Sequence, residues 1–331
     1  MTDHSKIRTL CLVGGILIST LYGSTYQQFR HFNPNDTRGA SDSISYLSMA
    51  SGDYDVNPVH RYRFITPYLA SKVHVLLHAV SVEPDSYILS FYIVNFCFAF
   101  FTSVIIFFIL ESLGFSFYLS LLGSMLFTSS RITALVVGAP LTDSIYFLSI
   151  AVIVFLTQRG AMKTLCVLAP ILILTKETTL PFLLLPFARK EMRSKWLITS
   201  IVLSVGLFII VRRYLAEASP PENNPSLFSI VTAQLWLIKT YLLHLFSLRG
   251  VVDITNGFSF LLVLALIGFL VNIRASKYHL PNYIIATMPI SICFAMLSGN
   301  LGRMFFASFL VVIPYALICV EHYGVPGDLS K

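Results

Sequence analysis

Charged residues are scarce in this chain. Of its 331 residues only 12% are Asp, Glu, Lys or Arg, about half the share of a soluble protein, and 56% are hydrophobic. The mean hydropathy is +0.76. This balance excludes a soluble globular enzyme and a disordered chain. The net charge of +7 does not indicate a nucleic-acid partner, because the basic residues lie in short loops between apolar runs, which is typical of membrane topology.

Paired cysteines and common catalytic motifs are also missing. The five cysteines all lie inside apolar stretches, and none has the spacing of a disulfide framework or a metal site. They are Cys11, Cys97, Cys166, Cys293 and Cys319. The chain contains no Gly-rich phosphate loop, no HExxH and no GxSxG. We therefore expect buried, inert thiols and no chemistry that depends on those motifs.

Long apolar runs are what the chain has instead. They predict an all-α polytopic transmembrane bundle of about 9–11 spans, since a bilayer needs ~20 apolar residues per helix. The runs are at about 8–22, 86–111, 117–130, 142–157, 196–212, 257–273, 282–297 and 303–320. Two shorter runs, 164–175 and 179–188, predict a hairpin that turns in or near the membrane interface. The stretch 229–248 either crosses the membrane or lies along its surface.

The loops predict the topology of a single integral membrane domain, 1–331. A long first loop at 23–85 carries interfacial helices, 86–320 holds the remaining spans, and 321–331 is a tail. Basic clusters occur at 6–8, 159–163, 189–195 and 274–277. Placing them in the cytoplasm satisfies the positive-inside rule if 229–248 does not cross. We then expect both termini in the cytoplasm, the first loop outside, and an inner or plasma membrane location.

The first loop collects polar residues in a helical pattern. Asp42, Tyr46 and Ala50 stand at i, i+4 and i+8 on one helix face, as in a helix lying on the membrane surface. Three basic residues lie close together in this loop, His60, Arg61 and Arg63. They are either ligands of an anionic substrate or anchors to lipid headgroups, and Asp42 is either a site residue or a solvated loop residue.

The later outward segments add four more charged residues. Asp143 follows Thr142 at the mouth of a span, where either residue could simply cap the helix. Lys176 and Glu177 interrupt the short apolar hairpin at its outer tip. They are either site residues, a pair that neutralises its own charges, or an anchor at the membrane interface. Arg303 lies at the outer end of the last span. Ionisable residues at membrane depth are costly and point to function.

The order of these motifs resembles that of the polytopic glycosyltransferases of the C-type fold (GT-C), especially the smaller bacterial ones. The motifs are Asp-x-x-x-Tyr-x-x-x-Ala from Asp42, Arg-Tyr-Arg-x-x-x-Pro-Tyr-Leu-Ala from Arg61, Thr-Asp, a Lys-Glu hairpin tip and a late Arg. The resemblance covers the first two-thirds of the chain. It implies transfer of a sugar from a polyprenyl-phosphate donor to a glycan, lipid or protein acceptor on the outer membrane face.

The resemblance also implies roles for residues. Asp42 matches the essential acid of the first outer loop, and Asp143 matches a second acid. The residues expected to bind substrate or its phosphate are Tyr46, His60, Arg61, Arg63, Lys176, Glu177 and Arg303. The two acids could also bind a divalent cation, Mg²⁺ or Mn²⁺. The sequence leaves this open, because the first loop has no Asp-x-Asp motif other than Asp53-Tyr54-Asp55.

The chemistry is consistent with these residue types. A carboxylate can take the proton of an acceptor hydroxyl as the transition state forms, and Arg or Lys can stabilise the leaving phosphate. Two other functions fit the same composition. A transporter or flippase for lipid-linked or anionic solutes also places ionisable residues at span ends. A non-catalytic assembly subunit could keep a GT-C-like fold without activity.

Overall fold

The computed structural model describes residues 3–36, 40–80, 87–217, 240, 242–244, 246–275, 277–296 and 301–324. These residues form helices and connecting loops, and no strand occurs among them. The prediction of an all-α protein is therefore confirmed for the described chain. Of the ambiguous stretch 229–248, residues 229–239, 241 and 245 lie outside it, as do 81–86 of the first loop and 325–331 of the tail.

The helices follow one another with short connections. They are α1 (Asp3–Arg30), α2 (Ser43–Ala50), α3 (Pro58–Arg61), α4 (Ile65–Ala79), α5 (Ile88–Ser112), α6 (Phe117–Thr128), α7 (Arg131–Gly138), α8 (Asp143–Arg159), α9 (Met162–Thr175), α10 (Lys195–Glu217), α11 (Leu248–Phe258), α12 (Phe260–Ala275), α13 (Asn282–Ile285), α14 (Thr287–Met296), α15 (Leu301–Phe305) and α16 (Phe309–Gly324). Segments of 3₁₀-helix cover Glu177–Ala188, Lys190–Met192 and Phe306–Ser308.

Several of these helices have the length and composition to cross a bilayer, which makes the chain an integral membrane protein. Among the described residues four do so alone: Thr9–Arg30, Ile88–Ser112, Lys195–Leu215 and Leu301–Gly324. The number is six if each of two bent pairs, α6 with α7 and α11 with α12, is one span. Only 22% of the Lys195–Leu215 segment is buried by protein, against 83% of Leu301–Gly324. The first therefore offers most of its apolar surface to lipid.

The predicted number of about 9–11 spans is too high for the described chain. The apolar runs at 164–175, 179–188 and 282–297 fold into helices shorter than a bilayer requires. Prolines explain part of this, because Pro181 and Pro186 lie within the Glu177–Ala188 segment, which winds as 3₁₀-helix. The predicted hairpin is thus a helix followed by a 3₁₀ segment.

The first span is longer than predicted, because α1 continues to Arg30 where the sequence predicts a loop from residue 23. Its last turns are polar but packed: Thr25 is fully buried and lies 3.0 Å from the Tyr92 hydroxyl. Phe29 stacks on the Tyr92 ring at 4.3 Å. Gly138 of α7 allows this end of α1 to approach closely, since a Cβ there would meet Gln28. Packing therefore keeps a polar segment helical.

Contacts divide the chain into two compact units, and whether 1–331 acts as a single domain stays a prediction. Unit 1 comprises Met1–Tyr22, Ser103–Ile132 and Gln234–Lys331, and unit 2 comprises Gly23–Thr102 and Thr133–Ala233. In unit 1, α12 packs along α16, and a Cβ at Gly268 would overlap the Tyr315 carbonyl oxygen. The axes of α11 and α12 differ by 88°. Ser259, with φ 51°, makes that bend in a backbone region that non-glycine residues rarely adopt.

In unit 2, the first-loop helices and the α8–α9 region each pack locally. Helix α2 packs against α3 and α4, while α8 packs against α9 and the Glu177–Ala188 segment. Helix α10 packs along α9. The α2 face predicted to lie on the membrane is buried by protein at Tyr46 and Ala50, which are 1% and 2% exposed. This burial brings the polar edge of α2 into contact with later parts of the unit.

Candidate functional site

The candidate site lies in unit 2, where charged residues from three separate segments meet. The first loop supplies Asp42, Tyr46 and Arg63, the first turn of α8 supplies Asp143, and the junction after α9 supplies Lys176 and Glu177. Arg63 of the first segment and Asp143 of the second are eighty positions apart in the sequence. The polar cluster is therefore a product of the fold and not of local sequence.

The most buried part of the cluster is an ion pair. Lys176 Nζ donates to Asp143 Oδ1 at 2.6 Å, and the two side chains are 1% and 4% exposed. The ammonium group also lies 4.8 Å from the centroid of the Tyr146 ring, a cation–π distance. Tyr146 stands one helical turn after Asp143 on α8, so one helix face holds both the carboxylate and the ring. Removing either charge would leave the other buried without compensation.

A second ion pair joins the first loop to the same junction. The Arg63 guanidinium donates to both carboxylate oxygens of Glu177, from Nη2 to Oε1 and from Nε to Oε2, the latter at 3.3 Å. Its Nη1 donates to the Tyr46 hydroxyl at 3.2 Å. This two-point contact fixes the plane of the guanidinium as well as its position. Arg63 thereby holds Tyr46 and Glu177 together.

The backbone at Lys176 explains how neighbouring residues serve two different partners. Lys176 lies between α9 and the 3₁₀ segment with φ −165° and ψ 137°, an extended conformation. Successive side chains of extended backbone point to opposite sides. Lys176 therefore reaches Asp143 while Glu177 reaches Arg63. Thr175, just before them, is hydrogen-bonded to Ser149 at 3.1 Å, which joins the end of α9 to α8.

Burial and charge set the protonation of two groups in the cluster. Burial raises the pKa of the Tyr46 hydroxyl above its ordinary value, and the Arg63 guanidinium offsets only part of that rise. Tyr46 is therefore a neutral hydroxyl at physiological pH. For Glu177, burial acts to raise the pKa, but the Arg63 guanidinium, the Lys176 ammonium group and a backbone hydrogen bond together hold the pKa below its usual range. Glu177 is accordingly ionised.

Asp42 lies at the more open edge of the cluster. Its Oδ1 is 3.6 Å from His60 Nε2, and the Asp42 and His60 side chains are 21% and 17% exposed. The His60 ring lies 5.4 Å from the Tyr46 ring. Asp42 occupies the N-cap position of α2 without making a side-chain cap hydrogen bond. Its carboxylate is thus more accessible than that of Asp143.

Comparison with known protein families, curated proteins and solved structures finds no match to this chain. The resemblance to GT-C glycosyltransferases therefore stands on the sequence motifs alone, and the cluster has to be interpreted from its own geometry.

Most of the predicted site residues are brought together, and Arg61 has other partners. Joined in the cluster are Asp42, Tyr46, His60, Arg63, Asp143, Lys176 and Glu177. Arg61 instead donates to the carbonyl oxygens of Val56 and Leu215. Arg303 belongs to unit 1, and its participation stays a prediction. Thr142 occupies the N-cap position of α8 without making a side-chain cap hydrogen bond.

The residues around the two predicted acids do not fit a divalent cation. Asp143 is held by an ammonium group, and Asp42 has an imidazole as its neighbour. Across the described ranges, no three His, Cys, Asp or Glu side chains lie together as a metal site requires. We therefore derive no step through a metal.

Two residues of the site, Tyr146 and Asn95, were missed in the sequence, and Thr142 was predicted there only as a helix cap. Tyr146 could have been found, because its position three residues after Asp143 puts it on the same helix face. Asn95 could not have been: its side-chain amide donates to the carbonyl oxygens of Ala139 and Leu141, which holds the turn before α8. Thr142 makes a hydrogen-bonding contact with the Tyr46 hydroxyl. These contacts depend on the fold and leave no periodic signal.

Proposed function

We propose that the chain is a membrane glycosyltransferase that moves a sugar from a polyprenyl-phosphate donor to a hydroxyl acceptor on the outer membrane face. The observation that supports this most is the meeting of Asp42, Arg63 and Lys176 in one cluster. Ionisable groups in a protein with this little charge are costly to bury and are kept for function. The Asp42 carboxylate and the Arg63 guanidinium both act on Tyr46, and a carboxylate and a cation are the two groups that displacement of a phosphate requires.

In the proposed reaction Asp42 is the general base. Its carboxylate removes the proton of the acceptor hydroxyl while that oxygen bonds to the anomeric carbon of the sugar. The bond from that carbon to the phosphate oxygen breaks, and the electron pair leaves with the polyprenyl phosphate. Asp42 is suited to this role because it is more exposed than Asp143, which is committed to Lys176.

The leaving phosphate gains negative charge that needs a cation nearby. Arg63 and Lys176 each face a carboxylate of the protein. We propose that the donor phosphate takes the place of one of these carboxylates, Glu177, whose side chain is 32% exposed. Arg63 then contacts the phosphate through the same forked donors. The Asp143–Lys176 pair stays closed and holds the site together.

The test is sugar transfer from a radiolabelled polyprenyl-phosphate sugar in purified membranes at matched expression. Asp42→Asn should abolish transfer. Asp55→Asn is the matched control, because Asp55 is an exposed acid of the same loop, and this variant should transfer sugar as the wild type does. Full activity in Asp42→Asn would show that Asp42 is not the general base. No donor-dependent transfer by the wild type across several sugars would refute the enzyme proposal.

A transporter or flippase is the second candidate, and one observation favours it. Helices α11 and α12 meet at an 88° bend, and broken helices are common at the substrate sites of transporters. Transport of a lipid-linked sugar across reconstituted vesicles, without transfer to an acceptor, would support this reading. If the protein showed neither sugar transfer nor transport, the results would favour a non-catalytic assembly subunit.

A further inference from the structure

Arg61 is a buried cation to which the described chain offers no acid. The residue is 3% exposed, and its guanidinium donates to the carbonyl oxygens of Val56 at 3.0 Å and Leu215 at 3.4 Å. Its Nε has no hydrogen-bond partner among the described residues. A buried charge without a counterion carries a large free-energy cost unless an anion reaches it. The contrast with Arg63 and Lys176, which both have carboxylate partners, is clear.

A cavity lies next to this guanidinium. It has a volume of about 240 Å³ and is lined by Tyr54, Arg61, Phe64 and Leu215. At roughly 10–15 Å³ per water molecule on this measure, it has room for a phosphate with a few attached atoms. The lining residues are two aromatic residues, one leucine and one arginine. That lining suits an anionic group that is attached to an apolar body.

The position of the cavity indicates where that group would come from. Leu215 is the last residue of the candidate span Lys195–Leu215, and the ends of spanning helices lie near the lipid headgroups. The helix below offers an open apolar surface, with Ile209 57% and Ile210 67% exposed. Tyr214, 74% exposed, is an aromatic residue of the kind found at membrane interfaces. An acyl chain lying against this helix would bring its headgroup to Arg61.

We infer that Arg61 and its cavity form a binding site for the phosphate of an anionic phospholipid of the bilayer. The phosphate supplies the counterion that the described chain does not, and the aromatic walls contact the glycerol and the first carbons of the chains. Arg61 is well suited because its guanidinium offers several donors to phosphate oxygens. This site is independent of the proposed transfer reaction.

The test is lipid binding by the full chain, purified in detergent and measured by native mass spectrometry. The probes are phosphatidylglycerol and phosphatidylcholine with the same acyl chains. Phosphatidylglycerol should bind at least about tenfold more tightly, and Arg61→Gln should weaken its binding by about tenfold or more, since a charge-assisted contact is lost. Arg274→Gln, which changes an exposed arginine at the end of α12, is the control and should bind as the wild type does.

A second variant tests the cavity without changing the charge. Leu215→Phe fills the space and keeps Arg61, so it should also weaken phosphatidylglycerol binding, and it decides the matter if Arg61→Gln does not fold. Equal binding of the two lipids, or wild-type binding in either variant, would overturn the inference. Displacement of phosphatidylglycerol by inorganic phosphate or by polyprenyl phosphate at the same concentration would assign the site to a free anion or to the donor, and would also overturn it.

Discussion

The buried pair between Asp143 and Lys176 yields the sharpest prediction. Lys176→Met removes an ammonium group that is 1% exposed and leaves the Asp143 carboxylate buried without its cation. Breaking one side of such a pair costs about 3–5 kcal/mol. That range corresponds to a fall in the folded-to-unfolded ratio of roughly a hundredfold to several thousandfold. Asp143→Asn should lower the free energy of unfolding by a similar amount, for the same reason.

The double variant separates the pair from its parts. In Asp143→Asn with Lys176→Met no charge remains buried, so its free energy of unfolding should fall by much less than the sum of the two single losses. The measurement is unfolding of the purified protein in detergent by increasing denaturant, for all four proteins. The control is Lys277→Met, because the pair between Lys277 and Glu321 is exposed at its lysine and should contribute less than about 1 kcal/mol.

If each single variant lost less than about 1 kcal/mol, the pair would behave as a surface ion pair and its burial would be refuted. Single losses that simply add in the double variant would show that the two side chains do not act together.

Three further predictions concern other parts of the molecule. The pKa of Glu177 is lowered, so its pair with Arg63 should stabilise the protein at neutral pH. This stabilisation should be lost as the pH falls below about 4.3 and through the lowered pKa. The measurement is the free energy of unfolding of the wild type and of Glu177→Gln as a function of pH, and a difference between the two that persists at lower pH would contradict the prediction. Gly268→Ala should destabilise unit 1 by forcing α12 away from α16. Gly206 has open space around it, so Gly206→Ala should stabilise α10 by up to about 1 kcal/mol. Thermal unfolding of the two variants and the wild type tests both predictions. Tyr46→Phe should keep the fold but weaken sugar transfer, because Arg63 loses one acceptor; unchanged transfer would remove Tyr46 from the site.

The sequence predicts the fold class well because the relevant signal is local. Runs of apolar residues make a helix that a bilayer can hold, and each run can be recognised without knowing its neighbours. The number of spans and the ends of the helices are harder to predict from the sequence. The polar end of α1 stays helical only because Thr25 and Phe29 pack against Tyr92, and the run at 179–188 winds as 3₁₀-helix around its prolines. The first outcome depends on tertiary contacts, whereas the second follows from the local effect of proline on a helix.

The candidate site shows the same division. The types of residue and their positions along the chain, such as Asp42, Asp143 and Lys176, could be predicted from motif order. Which of these residues pair with one another could not be predicted in this way. The sequence gives no sign that Glu177 pairs with Arg63, over a hundred residues away, while Lys176 pairs with Asp143. It also gives no sign that Arg61, two residues from Arg63, has different partners altogether.

The opposite directions of Lys176 and Glu177 have a consequence for chain length at this junction. Deleting or inserting one residue beside them would exchange the sides that the two residues face. Lysine would then meet Arg63 and glutamate would meet Asp143, so two attractive contacts would become two repulsive ones. The junction should therefore tolerate conservative substitutions better than any change of length, and tags or added loops belong elsewhere in the chain.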